Sequence, residues 1–377
     1  LLIVALAQTS SSSSAAVILN YVFYLIFIGL FFVLSMPGIG QRFQMSFAIR
    51  DIEGKLSMLE KFANDSKVST ENLLKEKGAK DPKGLTERLA EIFTIDPVNV
   101  EPTDIIPRMR LLLRTTENKV RDLITMSAPG IDNISRSKIE MSAEVTNALN
   151  MVYKIVRHYL ITAKKLNNIF LVYQLQMVVP QLVKQAEAYV KAQKTFIKGI
   201  PIGDSFGPMV ASRFLMKAET KREVSRDTVA GEVYFEGRKL TVIKAKGPMA
   251  TVGTPGEAVA KVVEENQGKV ARIITVDAAL RLEGEKTGSI AEGTGVAMGD
   301  PGPEKIEIER IAVKYGIPID ALISKMSIEE AITEMRKEIY DAVEPMVEMV
   351  KQLIRERTRE GDHIVIVGVG NTIGVAQ

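Results

Sequence analysis

Three glycine-bearing stretches hold the residues whose types could do chemistry: "GIPIGDSFGP" at 199–208, "VDAALRLEGEKTGSIAEGTGVAMGDPGP" at 276–303 and "GVGNTIG" at 368–374. The last comes close to a dinucleotide fingerprint through Gly368, Gly370 and Gly374. In that fingerprint the glycines let a helix N-terminus face a pyrophosphate. Here they are one residue out of step and no helix follows, so no nucleotide is expected. His158 and His363 are the only two histidines and there is no cysteine, which excludes disulfides, thiolate metal sites and a zinc centre built on several histidines of one chain. The formal net charge of +3 arises from 49 basic and 46 acidic residues, a balance unlike that of a dedicated nucleic-acid binder.

These turns have to be positioned by the elements around them. From about Gly199 onward the pattern alternates strand and helix. "GEVYFEG" and "RKLTVIKAKG" read as a strand pair turning at Glu236 and Gly237, "EAVAKVVEENQ" as a helix, and "KVARIITVD" and "HIVIVGV" as strands. Thr254, Pro255 and Glu257 carry a capping-box pattern at a helix start. "PEKIEIERIAVKYG" reads as a helix closed by Gly316, and Ser327 with Glu330 opens a further, long helix. Such alternation predicts an α/β domain over 199–377 with a mostly parallel sheet covered on both faces, its ligand at the carboxyl ends of the strands. All three glycine turns should meet at that edge.

The 42–198 segment reads as an all-α helical middle region, coiled-coil-like, with breaks at "KGAKDPKG", "TIDPVNVEPTDIIP" and "SAPGIDN". Within 143–198, Val145, Leu149, Val152, Val156, Tyr159, Ala163, Leu166, Phe170, Tyr173 and Met177 recur in steps of four and three, and Pro180 kinks or ends the run. The seam fits an intramolecular bundle or a homo-oligomer, with the second favoured. Residues 1–41 are expected to form a membrane anchor. "AAVILNYVFYLIFIGLFFVLSM" at 15–36 has the length and apolarity of an N-terminal transmembrane helix. Arg42, Arg50, Lys55 and Lys61 after it place the bulk of a single-pass protein on the cytoplasmic side of a lipid membrane. "LLIVALAQTSSSSS" ahead of it offers a signal-like cleavage site after "ALA", though an uncleaved, ordered segment packed on neighbouring chains is preferred.

The C-terminal domain resembles the germination proteases of spore-formers and the hydrogenase-maturation peptidases, which share an α/β fold. In these a strand ends in Gly-x-Gly-Asn and runs into an acidic residue followed by x-x-Gly, while a later strand ends in aspartate followed by alanine. Here "GVGN" (Gly368 to Asn371) lies at the end, "GDSFGP" (Gly203 to Pro208) opens the domain, and "ITVDAALR" carries Asp277. The resemblance implies a circularly permuted domain with the terminal strand beside 199–208. The whole chain also resembles an uncharacterised archaeal membrane-anchored family, a domain of unknown function.

Carried over position by position, the peptidase resemblance makes Asp204 and Asp277 the working carboxylates. Asn371 would orient a water or donate to substrate, and Gly203, Gly207, Gly368, Gly370 and Arg281 would line the substrate site. Two close carboxylates share a proton, so one can activate water while the other protonates a leaving nitrogen. The maturation-peptidase arrangement would add a histidine and a metal. His363 falls at the wrong end of its strand, so no cofactor is expected, with magnesium or manganese on oxygen ligands the remaining alternative. Glu292 and Asp300 are further candidate ligands. As purely structural residues, Asp204 and Asp277 would cap backbone amides and Arg281 would form an ion pair. Two functions follow: a homo-oligomeric scaffold or binding protein with a peptidase-like domain, or a peptide or amide hydrolase using Asp204 and Asp277.

Overall fold

The computed structural model describes residues 23–29, 39–95, 97, 104–299 and 302–377. Its N-terminal part is helical: α1 (Ile39–Glu76), α2 (Pro82–Ala90), α3 (Ile105–Ser127), α4 (Asn133–Lys165) and α5 (Ile169–Lys198). Asp81 starts α2 by accepting the Gly84 N–H, with Pro82 at the first helical position where its missing N–H is no loss. The expected transmembrane helix is not found. Among the described residues no helix is long and apolar enough to cross a membrane. Of the 15–36 run only residues 23–29, which are helical, are described. The rest of that run and the serine-rich segment before it lie outside the described residues. The single-pass, membrane-anchored, cytoplasmic-face reading is therefore withdrawn.

The chain divides into two compact units, Leu1–Met58 with Lys154–Leu182, and Leu59–Tyr153 with Val183–Gln377. In the first, Ala48, Ile52, Leu160, Ala163, Val172 and Val179 are buried, and Lys164 pairs with Glu53. The continuous seam expected over 143–198 is interrupted. Leu166 to Asn168 form a turn with Asn167 at φ 47°, and the Asn168 side chain accepts the Leu171 N–H at 3.1 Å to start α5. After that break a different stripe, Val172, Leu175 and Val179, is buried, while Phe170 and Met177 stand 77% and 73% exposed. Pro180 lies inside α5 and does not end it.

In the second unit a buried polar knot joins three helices. Gln193 of α5 donates to Ser142 Oγ of α4 (2.9 Å) and Thr70 Oγ1 of α1 (3.1 Å), while Ser66 and Thr146 pair at 2.8 Å. Each of these polar groups is satisfied, so the knot fixes which helix faces which without an unpaired buried dipole.

After a 3₁₀ turn at Gly203–Ser205 the α/β part of the same unit follows. Its elements are α6 (Phe206–Leu215), β1 (Lys221–Ser225), β2 (Thr228–Phe235), β3 (Arg238–Ala245), α7 (Pro255–Glu265), β4 (Arg272–Leu280), β5 (Ile290–Thr294), α8 (Pro303–Tyr315), β6 (Ile319–Met326), α9 (Ile328–Ile332), α10 (Lys337–Asp341), α11 (Val343–Arg357) and β7 (His363–Gly368). The seven strands form one sheet in the order β1-β2-β3-β7-β4-β6-β5. The sheet is mixed, not mostly parallel. The β3–β7, β7–β4 and β4–β6 pairs are parallel, and the β1–β2, β2–β3 and β5–β6 pairs are antiparallel. Both edges are antiparallel because β1 to β3 form a meander and β5 returns beside β6. Glu236 and Gly237 turn the β2–β3 hairpin with φ of 47° and 73°, the paired positive angles that match strand twist.

One face of the sheet packs on α6, α10 and α11 through Val210, Leu240, Val242, Ile364, Ile366 and Met346, and the other on α7 and α8 through Ile243, Val259, Ile273, Ile308 and Val365. All six residues of β7 are buried, as its place between two parallel neighbours requires. Two expected helix starts differ in detail. Thr254 precedes α7 without a side-chain cap, its hydroxyl bonding Ser225 Oγ instead (2.8 Å). Ser327 and Glu330 do form a capping box, but on the five-residue α9 rather than a long helix, because Thr333 returns to extended backbone.

Candidate active site at the carboxyl edge of the sheet

The last strand of the chain is central in the sheet, and its carboxyl end lies beside the segment that opens the domain. Past Gly368 the Val369 N–H donates to Val276 O of β4 at 2.8 Å. Gly370 then takes φ +127°, a conformation that side chains rarely adopt and one that brings it against the Asp204 backbone. This places the Asn371 N–H 2.7 Å from Asp204 Oδ2, across 167 residues of sequence. Asn371 Oδ1 accepts the Ile373 N–H (2.9 Å), and Thr372 is tied to the 246–251 loop through its hydroxyl and its N–H to Thr251 O. Farther on, Gly374 approaches Gly199 and Pro201 so closely that a Cβ would lie 2.7 Å from each.

Glycine makes this approach possible. A Cβ on Gly207, in the first turn of α6, would collide with the carbonyls of Val276 and Val369, and one on Gly368 would collide with Gly207 O. Gly203 is held the same way against Glu330 O. Gly203, Gly207, Gly368 and Gly370 thus serve close backbone packing, which seats α6 on the ends of β4 and β7.

Asp277 lies on β4, level with Ile323 of β6, and is 4% exposed. Its Oδ1 accepts the Ala278 N–H at 2.7 Å, so Asp277 and Asp204 each use one oxygen on a backbone amide. The second oxygen of each accepts no hydrogen bond from the described residues. Burial raises the Asp204 pKa, opposed by the Asn371 N–H. Burial raises that of Asp277 further, well above the usual carboxylate range, and the Asp204 charge adds to it. Two carboxyls that resist ionising together at neutral pH can exist as one acid and one carboxylate.

The other candidates sit elsewhere. Arg281 pairs with Glu330 (3.6 Å), which also binds Thr287, Arg336 and the Ser327 N–H. Glu292 is exposed on β5 and paired with Arg357, and Asp300 lies outside the described residues. His363 is at the opposite end of β7, bonded to Thr241 Oγ1 at 2.7 Å. Among the described residues no group of three or more His, Asp or Glu side chains could hold a metal, and no metal step is drawn.

Two features escaped the sequence reading. Lys244 on β3 is fully buried with one acceptor, Ala245 O at 3.2 Å, and burial pushes its pKa down to about 8. The spacing Leu240, Val242, Lys244 places it on one strand face with two core residues, and that signal was in the sequence. The second is a cavity of about 630 Å³ whose walls include Glu144 and Arg226, residues with no shared motif to mark them.

Two family descriptions match the chain: Protein of unknown function (DUF1512) N-terminal domain over residues 26–199, and Domain of unknown function (DUF1512) C-terminal over residues 202–376. The chain belongs to the DUF1512 family. No curated protein matches it. The two DUF1512 matches meet between residues 199 and 202, at the turn against which Gly374 packs.

Proposed function

We propose that this DUF1512 protein hydrolyses a peptide or amide bond with Asp204 and Asp277. The observation that carries the reading is that the charge of Asp204, tied to the Asn371 N–H near the chain's end, acts on the buried Asp277 at the carboxyl edge of the sheet, each carboxyl keeping one oxygen free of hydrogen bonds from the described residues and each raised in pKa. The likeness of "GVGN", "GDSFGP" and "ITVDAALR" to the germination protease and maturation peptidase motifs points to the same chemistry. The ionised carboxyl takes a proton from water as its oxygen attacks the carbonyl carbon. The protonated carboxyl gives its proton to the nitrogen as the C–N bond breaks. Asp277, more strongly raised, is the acid, and Asp204, held by the Asn371 N–H, is the base.

Incubation of the purified chain with a mixed peptide library, read by mass spectrometry, tests this. Cleavage should occur with the native chain and disappear in both Asp204→Asn and Asp277→Asn. Cleavage that survives either substitution refutes the assignment. A second reading, a homo-oligomeric scaffold, is favoured by the exposure of Leu166, Phe170 and Met177 around the α4–α5 turn. It expects a solution mass above 41.5 kDa that falls on Phe170→Glu with Met177→Glu.

A further inference from the structure

Within the second compact unit, α2, α3 and α4 and the 250–254 loop enclose the cavity of about 630 Å³, a volume in the range of small-molecule sites. Leu89, Phe93, Leu113 and Val120 give it an apolar wall. Its charged lining is four carboxylates, Glu117, Glu140, Glu144 and Asp227, against two guanidinium groups, Arg121 and Arg226. Arg121 is held by Glu140 (3.2 Å) and Asp227 (2.9 Å), and Arg226 by Glu117 (3.5 Å).

Two polar groups on this wall remain unanswered. Arg226 Nη2 is buried and has no hydrogen-bond partner. The Glu144 carboxylate has no hydrogen bond or ion pair among the described residues. Glu144 keeps solvent-accessible surface and is one of the residues that line the cavity. Burial, with the charges of Glu117 and Glu140, raises its pKa to about 7. A carboxylate crowded by the charges of two others and left without a partner favours a cation beside it. The excess of carboxylates disfavours an anion. Among the described residues no group of three or more His, Asp or Glu side chains is placed to hold a metal, and the apolar wall suits an organic cation.

We propose that this cavity binds the amide of an apolar amino acid, or the free amino end of a short apolar peptide, with its ammonium on Glu144, its carbonyl on Arg226 Nη2 and its side chain on the Leu89–Phe93 wall. Asn371 closes one side of the cavity, and its N–H binds Asp204, so the occupant sits one residue from the carboxylate pair. Neither Asp204 nor Asp277 lines the cavity. The inference therefore stands apart from the hydrolytic reading, and Asp277→Asn should bind as the native chain does.

Titration calorimetry of the full chain tests it, at about pH 7.4, between the raised carboxyl and the α-amino value. The probes are L-leucinamide, N-acetyl-L-leucinamide, which lacks the cation, and 3-methylbutylammonium, which lacks the carbonyl. Leucinamide should bind with the lowest Kd and the acetylated probe at least about tenfold more weakly. In Glu144→Gln, checked for an unchanged melting curve, that discrimination should vanish. The comparison of probes on the native chain needs no variant. Equal binding of the acetylated probe, no saturation by about 10 mM leucinamide, or unchanged discrimination in folded Glu144→Gln would overturn the proposal.

Discussion

Gly207→Ala isolates the junction on which the site depends. Gly207 sits in the first turn of α6, where alanine is normally favoured over glycine by ~1 kcal/mol. On open helix surface the substitution would therefore stabilise the fold. Here the new methyl would fall well under 3.0 Å from the carbonyl oxygens of Val276 and Val369, which are backbone atoms of β4 and of the turn after β7 and cannot rotate away. Overpacking of this kind costs up to about 3 kcal/mol. The methyl also wedges against the Val369 N–H to Val276 O bond, worth about 1 kcal/mol net. Set against the helix gain, the net loss is about 3 kcal/mol, a large share of a stability of about 5–15 kcal/mol. The chain has no tryptophan, so urea unfolding is best followed by far-UV circular dichroism. Hydrogen exchange of residues 369–373 should accelerate in the variant, because the turn holding Asn371 to Asp204 is pushed off α6. Gly54→Ala, on α1 with open space around it, is the control and should stabilise by ~0.5–1 kcal/mol. If Gly207→Ala matches that control, with tail exchange unchanged, the close seating of the chain end on α6 is wrong.

Three further outcomes follow from buried polar groups. Lys244→Met should stabilise the protein at neutral pH by at most about 3 kcal/mol, the cost of lowering an amine from 10.5 to about 8. Native stability should rise as pH increases from about 8 toward 10.5 and stay flat in the variant, as read from urea midpoints. Asp277 has the opposite sign of slope. Its folded pKa lies above the unfolded one, so the native chain binds more protons and loses stability as pH rises from the ordinary carboxylate range through the raised value. Asp277→Asn should remove that slope and leave the protein more stable than the native chain above the raised value, and an unchanged slope would show that Asp277 titrates normally. Gln193→Ala should cost about 2–3 kcal/mol in thermal or urea unfolding, by opening a cavity and leaving the Thr70 and Ser142 hydroxyls short of a donor.

Much of the candidate site was legible in local chemistry. The buried run "HIVIVG", the Glu236–Gly237 turn, Pro255 at the first position of α7 and Gly316 closing α8 each reflect backbone rules acting over a few residues. The juxtaposition of Asn371 and Asp204 was an expectation drawn from motif fragments lying at opposite ends of the domain. Where the reading failed, periodicity was asked to report something it does not contain. The 145–177 seam has the spacing of one helix, but Asn167 at φ 47° ends the register, so that Phe170 and Met177 are exposed while Val172 and Val179 are buried. The 15–36 run has the apolarity of a membrane span, yet among the described residues no helix is both long and apolar enough to cross a membrane. The antiparallel edges of the sheet depend on strand pairing, and β1 and β5 are short, partly exposed segments without a strong pattern.

By itself the sequence determined the alternation of strand and helix after residue 199, the glycines on which the turns depend, and the absence of thiol or multi-histidine chemistry, because each follows from residue type or from neighbours a few positions apart. Only the tertiary structure decided that the Asp204 charge reaches the buried Asp277, that Lys244 is buried, and that Glu144 and Arg226 share a cavity. Desolvation and charge coupling act through space at a few ångströms, and the segments concerned are separated by tens to hundreds of residues along the chain.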